Sequence, residues 1–237
     1  VFFVGIGGIG MSGIAELLLN LGFKVFGSDM NENDNVVRLK SLGVDVKIGH
    51  DPANLIDADV LVYSSAVPLE NPEIMKARQK GIPVIRRAEM LGELINVKET
   101  SIAVGGTHGK TTTSSMIGAM LYYSKMDPTL VVGGLVQNLN SNSKLGTGDI
   151  IVVEADEFDR SFLALKPTIG IITNIELEPT DCSGDLDDLE TAFLQFCQSV
   201  PFYGEVILCA DSPAVQEILP KIERPMSTYG RSRDAGY

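Results

Sequence analysis

Two glycine-rich loops, each set between a short apolar run and a stretch with helical spacing, constrain this chain more than any other feature. The second is Gly105-Gly106-Thr107-His108-Gly109-Lys110-Thr111. It departs from the strict G-x-x-x-x-G-K-[ST] pattern, because Val104 stands where the first glycine belongs. It still follows the apolar run Ser101 to Gly105 and opens a predicted helix over Thr111 to Tyr123. Main-chain N–H groups of such a loop surround phosphate oxygens while the lysine reaches the terminal phosphates. The reading gives Gly106, Thr107, Gly109, Lys110, Thr111 and Thr112 as ATP contacts, with the Thr111 hydroxyl placed to ligate Mg2+. The bland alternative, a lysine at a buried helix start by chance, leaves the glycines around it unexplained. His108 either contacts substrate or only caps the turn, and the sequence does not choose.

The first loop, Gly5-Ile6-Gly7-Gly8-Ile9-Gly10, matches G-x-G-x-x-G. Val1 to Val4 reads as the strand before it. Ile14, Leu17, Leu18 and Leu21 are spaced for one face of the helix after it, which Gly22 is placed to end. Bare backbone at such a turn lets a diphosphate approach the helix N-terminus. Asp29, at the end of the next predicted strand, stands where an acid meets a ribose. Taken alone, this loop makes a nicotinamide dinucleotide the default ligand, and a glycine turn serving only tight packing is the alternative.

Strand and helix keep alternating beyond these loops. Strands are expected at Lys24 to Ser28, Val44 to Ile48, Val60 to Ser64 and Pro83 to Ile85, with helices at Val36 to Leu42 and Asn71 to Lys80. After a polar linker, Asn96 to Thr100, further strands follow at Ser101 to Gly105, Thr129 to Val132, Asp149 to Glu154, Thr168 to Thr173 and Glu205 to Cys209. Helices are expected at Thr111 to Tyr123, Leu186 to Val200 and Pro213 to Ile222. The pattern is that of an α/β protein with parallel sheets. It divides into a Rossmann-like domain over residues 1–97 and a P-loop α/β domain over 98–237.

With 237 residues, 44% of them hydrophobic, the chain has enough apolar material for two cores. A formal net charge of −12 without a basic run repels phosphate backbones and excludes nucleic acid as a partner. The three cysteines, Cys182, Cys197 and Cys209, are too few and too scattered for a disulfide framework. A reducing cytoplasm fits them, and no run of about 18 apolar residues suggests a membrane span. Glu154 ends an Ile/Val-rich strand at the carboxyl edge of a sheet, a place for a magnesium ligand. For Asp156, Glu157 and Glu176 the same role is balanced by capping or solvated charge. The acidic run Asp185 to Glu190 reads as a solvated face.

Taken together, these motifs resemble the Mur ligases. The resemblance rests on Gly5 to Glu16, Tyr63-Ser64-Ser65-Ala66-Val67, Asn71-Pro72 and Arg86-Arg87-Ala88-Glu89-Met90-Leu91. It continues through Gly106 to Thr113, Gly133-Gly134, Glu154-Ala155-Asp156-Glu157 and Thr173-Asn174-Ile175-Glu176. Gly5 to Ser12 is similar to the alanine-adding branch rather than to the murein-peptide recycling ligases. The resemblance implies that the first loop holds the diphosphate of a UDP-sugar, which displaces the nicotinamide reading. UDP-N-acetylmuramate then contacts Gly7, Gly8, Ile9, Gly10, Asp29, Ser64, Arg87 and Asn142. Lys110 and His108 become catalytic, and Thr111 and Glu154 become ligands of the magnesium that accompanies ATP. It implies phosphorylation of the muramyl carboxylate, attack by L-alanine on the acyl phosphate, and release of phosphate. Two departures qualify it. Pro179 stands where relatives carry a metal-binding histidine, and the chain stops inside the family's ATP-binding domain, before a third domain. A fragment that holds UDP-sugar without turnover is therefore a second expectation.

Overall fold

The computed structural model describes residues 1–136, 141–157, 160–177 and 185–231. Packing divides the chain into two compact units, one of Val1–Leu91 with Gly133–Leu145 and the other of Gly92–Val132 with Gly146–Tyr237.

The first unit starts with β1 (Phe2–Val4), whose three residues are all buried, as expected of a strand covered on both faces. The glycine turn follows and leads into α1 (Ile9–Asn20), which buries Met11, Ile14, Leu17 and Leu18. Leu21, expected on that face, lies past the helix end and is partly exposed, and Gly22 follows in the left-handed conformation. Next come β2 (Phe26–Asp29), α2 (Asp34–Ser41) capped by Asn33, and β3 (Asp45–Ile48). Then β4 (Leu61–Tyr63), α3 (Pro72–Gln79), β5 (Val84–Arg86) and α4 (Arg87–Ile95) complete the series, the division between the units falling within α4, after Leu91. Asn71 caps α3 by accepting from the N–H groups of Glu73 and Ile74, and Pro72 occupies the first turn, where its missing N–H costs nothing. Helix α4 has no counterpart among the elements expected from sequence. The strand order is β3-β2-β1-β4-β5, with every pairing parallel. The chain reverses direction across the sheet between β1 and β4, so a crevice opens at the carboxyl ends of those strands.

The second unit repeats this logic around β6 (Thr100–Gly105), which leads through the second glycine loop into α5 (Lys110–Tyr123). In the seven-stranded sheet, β7 (Thr129–Val136), β8 (Ser141–Lys144), β9 (Ile150–Glu154) and β10 (Ile169–Ile172) precede α6 (Leu186–Ser199), although the division by packing counts β8 and the end of β7 with the first unit. β11 (Glu205–Cys209), α7 (Pro213–Ile218) and β12 (Met226–Tyr229) follow. The helix expected to run to Ile222 gives way to a 3-10 turn at Leu219–Lys221, where Pro220 removes an N–H from the ladder. β8 and β12 are polar for their length and carry no period-2 apolar signal, which is why the sequence does not announce them. The order is β12-β11-β10-β6-β9-β7-β8. β6 lies between β9 and β10, parallel to both. Its carboxyl end is therefore flanked by the ends of those two strands, which is where the sheet switches direction. Beneath it, Phe162 packs against Phe193 and Phe196 of α6, with ring centroids 5.1 and 5.4 Å apart.

Candidate functional site

The second glycine loop is bound tightly to the tail of β10. Thr107 N–H donates to the Asn174 carbonyl at 3.2 Å, and Thr107 Oγ1 both donates to the Glu176 carbonyl and accepts from Glu176 N–H, each at 2.9 Å. His108 N–H donates to Asn174 Oδ1 at 2.8 Å, while the Thr173 hydroxyl donates to the His108 carbonyl at 2.7 Å. The approach is so close that a Cβ on Gly106, whose φ is +126°, would overlap Thr173 Oγ1 and come within 2.9 Å of the Asn174 carbonyl. Only glycine fits there. Gly109, also left-handed, hands the chain to α5 without a side-chain cap, so the first N–H groups of α5 find no side-chain acceptor on its N-cap residue.

Lys110 bends back over this loop. Its Nζ donates to the carbonyls of Gly106 at 2.7 Å and Thr107 at 3.2 Å and to Glu157 Oε1 at 2.8 Å. Thr111 and Thr112 follow in the first turn of α5 and are exposed. Glu154 ends β9 with its Oε1 buried, and its residue pairs with Val104 on β6. Glu157 retains only 8% side-chain exposure, and its Oε2 is buried without a hydrogen-bond partner among the described residues. Burial pushes the Glu157 carboxyl above its ordinary range, and the hydrogen bond from Lys110 works in the opposite direction. Exposed His108 places Nε2 3.7 Å from Glu176 Oε2. The structure thus brings Gly106, Thr107, Lys110, Thr111 and Glu154 to one sheet edge. Thr173 and Asn174, which organise the loop, entered the sequence reading only through the family resemblance.

The same edge answers whether magnesium suits these residues. Thr111 and the carboxylates of Glu154 and Glu157 are hard oxygen donors of the kind that ion takes. No group of three or more His, Cys, Asp or Glu side chains that could hold a metal occurs among the described residues. An ion here would therefore draw on phosphate and water oxygens as well, the usual arrangement for magnesium at a nucleotide.

In the first unit, the glycine turn opens on a cavity of about 760 Å³ whose lining includes Gly5, Gly8, Asp29, Asn33, His50 and Ser64. Four of the turn's N–H groups are already used: Gly5 and Ile6 donate to the Ser28 carbonyl at 2.9 and 3.0 Å, Gly7 to Asp29 Oδ2 at 2.8 Å and Gly8 to the Gly5 carbonyl at 3.2 Å. Ile9 and Gly10 begin α1. The Arg87 guanidinium lies so near Gly10 that a Cβ there would meet Nη1 at 3.0 Å, which places a fixed positive charge at the start of the helix. Ser64 follows β4 on the cavity wall, its Oγ accepting from Ala66 N–H at 3.4 Å. Asn142 lies in β8, with its side chain outside the described residues. Pro179 also lies outside them.

Sequence reasoning missed one buried network beside this cavity. Glu73 is fully buried; its Oε2 accepts from Ser28 Oγ at 2.6 Å and from His50 Nδ1 at 3.0 Å, and its Oε1 accepts from Asn54 Nδ2 at 2.8 Å. His50 Nδ1 also lies 2.9 Å from Ser28 Oγ, so the imidazole, the hydroxyl and the carboxylate form one cluster at the cavity wall. Nothing in the sequence distinguishes Glu73 from an ordinary first-turn acid.

Comparison with known proteins decides the family. Residues 1–99 match the Mur ligase family, catalytic domain, and residues 104–237 match the Mur ligase middle domain. The chain belongs to the Mur ligase family. Over its whole length this Mur ligase is 56% identical to the UDP-N-acetylmuramate–L-alanine ligase of Myxococcus xanthus, covering 50% of that protein. It is 52% identical to the protein of the same name from Acidobacterium capsulatum, also over the whole chain and 52% of the relative. The chain thus spans about half the length of the curated relatives it matches. Among solved structures, MurC of Thermotoga maritima superposes with a TM-score of 0.84 at 29% identity, over 98% of this chain and 52% of that one. The MPL ligase of Neisseria meningitides gives 0.88 at 28% identity, over 96% and 76%. Both have the two α/β domains with parallel sheets seen here.

Proposed function

We propose that this chain is the UDP-sugar-binding and ATP-binding part of a ligase that joins L-alanine to UDP-N-acetylmuramate in the cytoplasm, as a step of peptidoglycan synthesis. The observation that carries the reading is the loop at Gly106–Lys110, fixed at the switch point of its sheet in a chain whose full-length matches bear that enzyme's name. The proposed division is residues 1–97 for the UDP-sugar and 98–237 for ATP, supported by the changeover between the two family matches.

In this reading the diphosphate lies at the start of α1 beneath Arg87, with Gly7 and Gly8 keeping the turn thin and Ile9 and Gly10 forming the positive end of the helix dipole. Asp29, Ser64 and Asn142 serve the rest of the UDP-sugar. On the second unit, Gly106, Thr107, Gly109 and Thr112 shape the phosphate cradle, and Lys110 spreads the charge of the transferred phosphoryl group. Thr111 and Glu154 would hold magnesium, which shields charge on the phosphates when bound. His108, exposed at the loop tip, is assigned to the sugar substrate by the family resemblance alone. A carboxylate is a poor acyl donor, and phosphorylation gives it a leaving group that the amine of L-alanine displaces as phosphate.

Replacing Lys110 by alanine in the full-length enzyme tests the reading. Alanine-dependent phosphate release is expected to fall by roughly a hundredfold or more, while UDP-N-acetylmuramate binding stays at the parent level. Unchanged turnover removes Lys110 from the mechanism.

A further inference from the structure

Resting on that reading, we propose that Glu157 is a positioning residue that parks Lys110 away from the phosphates until a divalent cation arrives with the nucleotide. An ammonium has three N–H donors. In this structure three acceptors surround Nζ, namely the carbonyls of Gly106 and Thr107 and the carboxylate of Glu157. Lys110 therefore reaches a phosphate only by giving up one of them. The carbonyls belong to the loop that the β10 tail holds fast, and they stay beside Nζ through small shifts. Glu157 is the partner on a separate segment, beyond the end of β9, and it carries the competing negative charge.

The exchange has a cost that fixes its condition. Glu157 keeps only 8% side-chain exposure, its Oε2 has no partner among the described residues, and Lys110 is the charge that compensates it. Taking Lys110 away strands a buried carboxylate, the situation that makes breaking one half of a buried ion pair costly. A metal-free nucleotide brings only further negative charge to the same place. A nucleotide with its divalent cation supplies a replacement positive charge as Lys110 leaves. Glu157 thereby discriminates against nucleotide that lacks its metal, and the open Oε2 is the acceptor that the parked arrangement leaves for the newcomer.

The test compares the full-length parent with Glu157→Gln, whose amide keeps the shape and a carbonyl oxygen but no charge. Two quantities are measured: calorimetric affinity for ATP in EDTA and in excess magnesium, and the rate at which an amine-acetylating reagent labels Lys110 in nucleotide-free protein, read by mass spectrometry. In the parent, metal-free ATP binds far more weakly than the magnesium complex and Lys110 labels slowly. In Glu157→Gln the gap between the two nucleotide forms narrows by about tenfold, within the usual range of coupling between sites, and Lys110 labels several times faster. The proposal is overturned if the labelling rate does not change, which leaves direct repulsion as the cause of any gain in affinity. It is equally overturned if labelling rises while the gap stays constant. Should the parent bind ATP in neither condition, the nucleotide reading itself is wrong, and normal labelling of the parent shows that the failure lies there and not in the Lys110–Glu157 pair.

Discussion

The two glycine loops look alike in sequence and are built differently. The first is a thin turn beside an open cavity, tied to its own unit by Gly7 N–H on Asp29 and Gly8 N–H on Gly5. The second is fastened along its length to residues 173–176 and filled by its own lysine. One loop is a shaped space with a nearby guanidinium, and the other is a charged clamp held closed. The difference matches the ligands proposed for them. A UDP-sugar has to be admitted whole and gripped by shape, whereas a triphosphate is bound by exchanging charges.

The comparison breaks most visibly at Gly106. Alanine there carries both a left-handed backbone and a Cβ overlapping the β10 tail, so the second unit is expected to lose about 3 kcal/mol or more of stability. Thermal unfolding of Gly106→Ala against the parent measures it. An unchanged melting temperature would mean that the loop is not clamped as described. Gly8 is the contrasting position. A Cβ on it meets nothing closer than the Gly5 carbonyl at 3.5 Å, an ordinary contact, and the residue is exposed on the cavity wall. Gly8→Ala should therefore keep its stability within about 0.5 kcal/mol and weaken UDP-N-acetylmuramate binding by roughly tenfold by obstructing the approach to the helix start. Sharp destabilisation with intact binding would reverse the roles assigned to the two loops.

Much of this architecture is legible in the residues. β1, the Ile102–Val104 part of β6 and the Ile150–Val153 part of β9 are apolar runs, and buried parallel strands read that way. Asn71-Pro72 and Gly22 mark helix ends through mechanisms that act within a few residues. The loops themselves stand out by their glycines, which recur within a few residues between a strand and a helix. What stays hidden depends on residues far apart in the chain. Glu73 and His50 are separated by 23 positions and meet only once β2, α3 and the 49–51 turn are assembled. Glu157 looks like any strand-end acid until β9 sets it against Lys110, 47 residues earlier. β8 and β12 depend on their neighbours in the sheet and not on their own pattern. The family resemblance supplied Thr173 and Asn174, whose hydrogen bonds to the loop no spacing rule reveals.

The central claim is that a loop with the outline of a dinucleotide site serves a UDP-sugar, in a protein whose other loop serves ATP. Calorimetric titration of the chain with UDP-N-acetylmuramate, and separately with NADH, tests it most directly. The account predicts saturable one-to-one binding of UDP-N-acetylmuramate that Gly8→Ala weakens and Lys110→Ala leaves alone, with no heat of binding for NADH. Binding of NADH without binding of the UDP-sugar would contradict it.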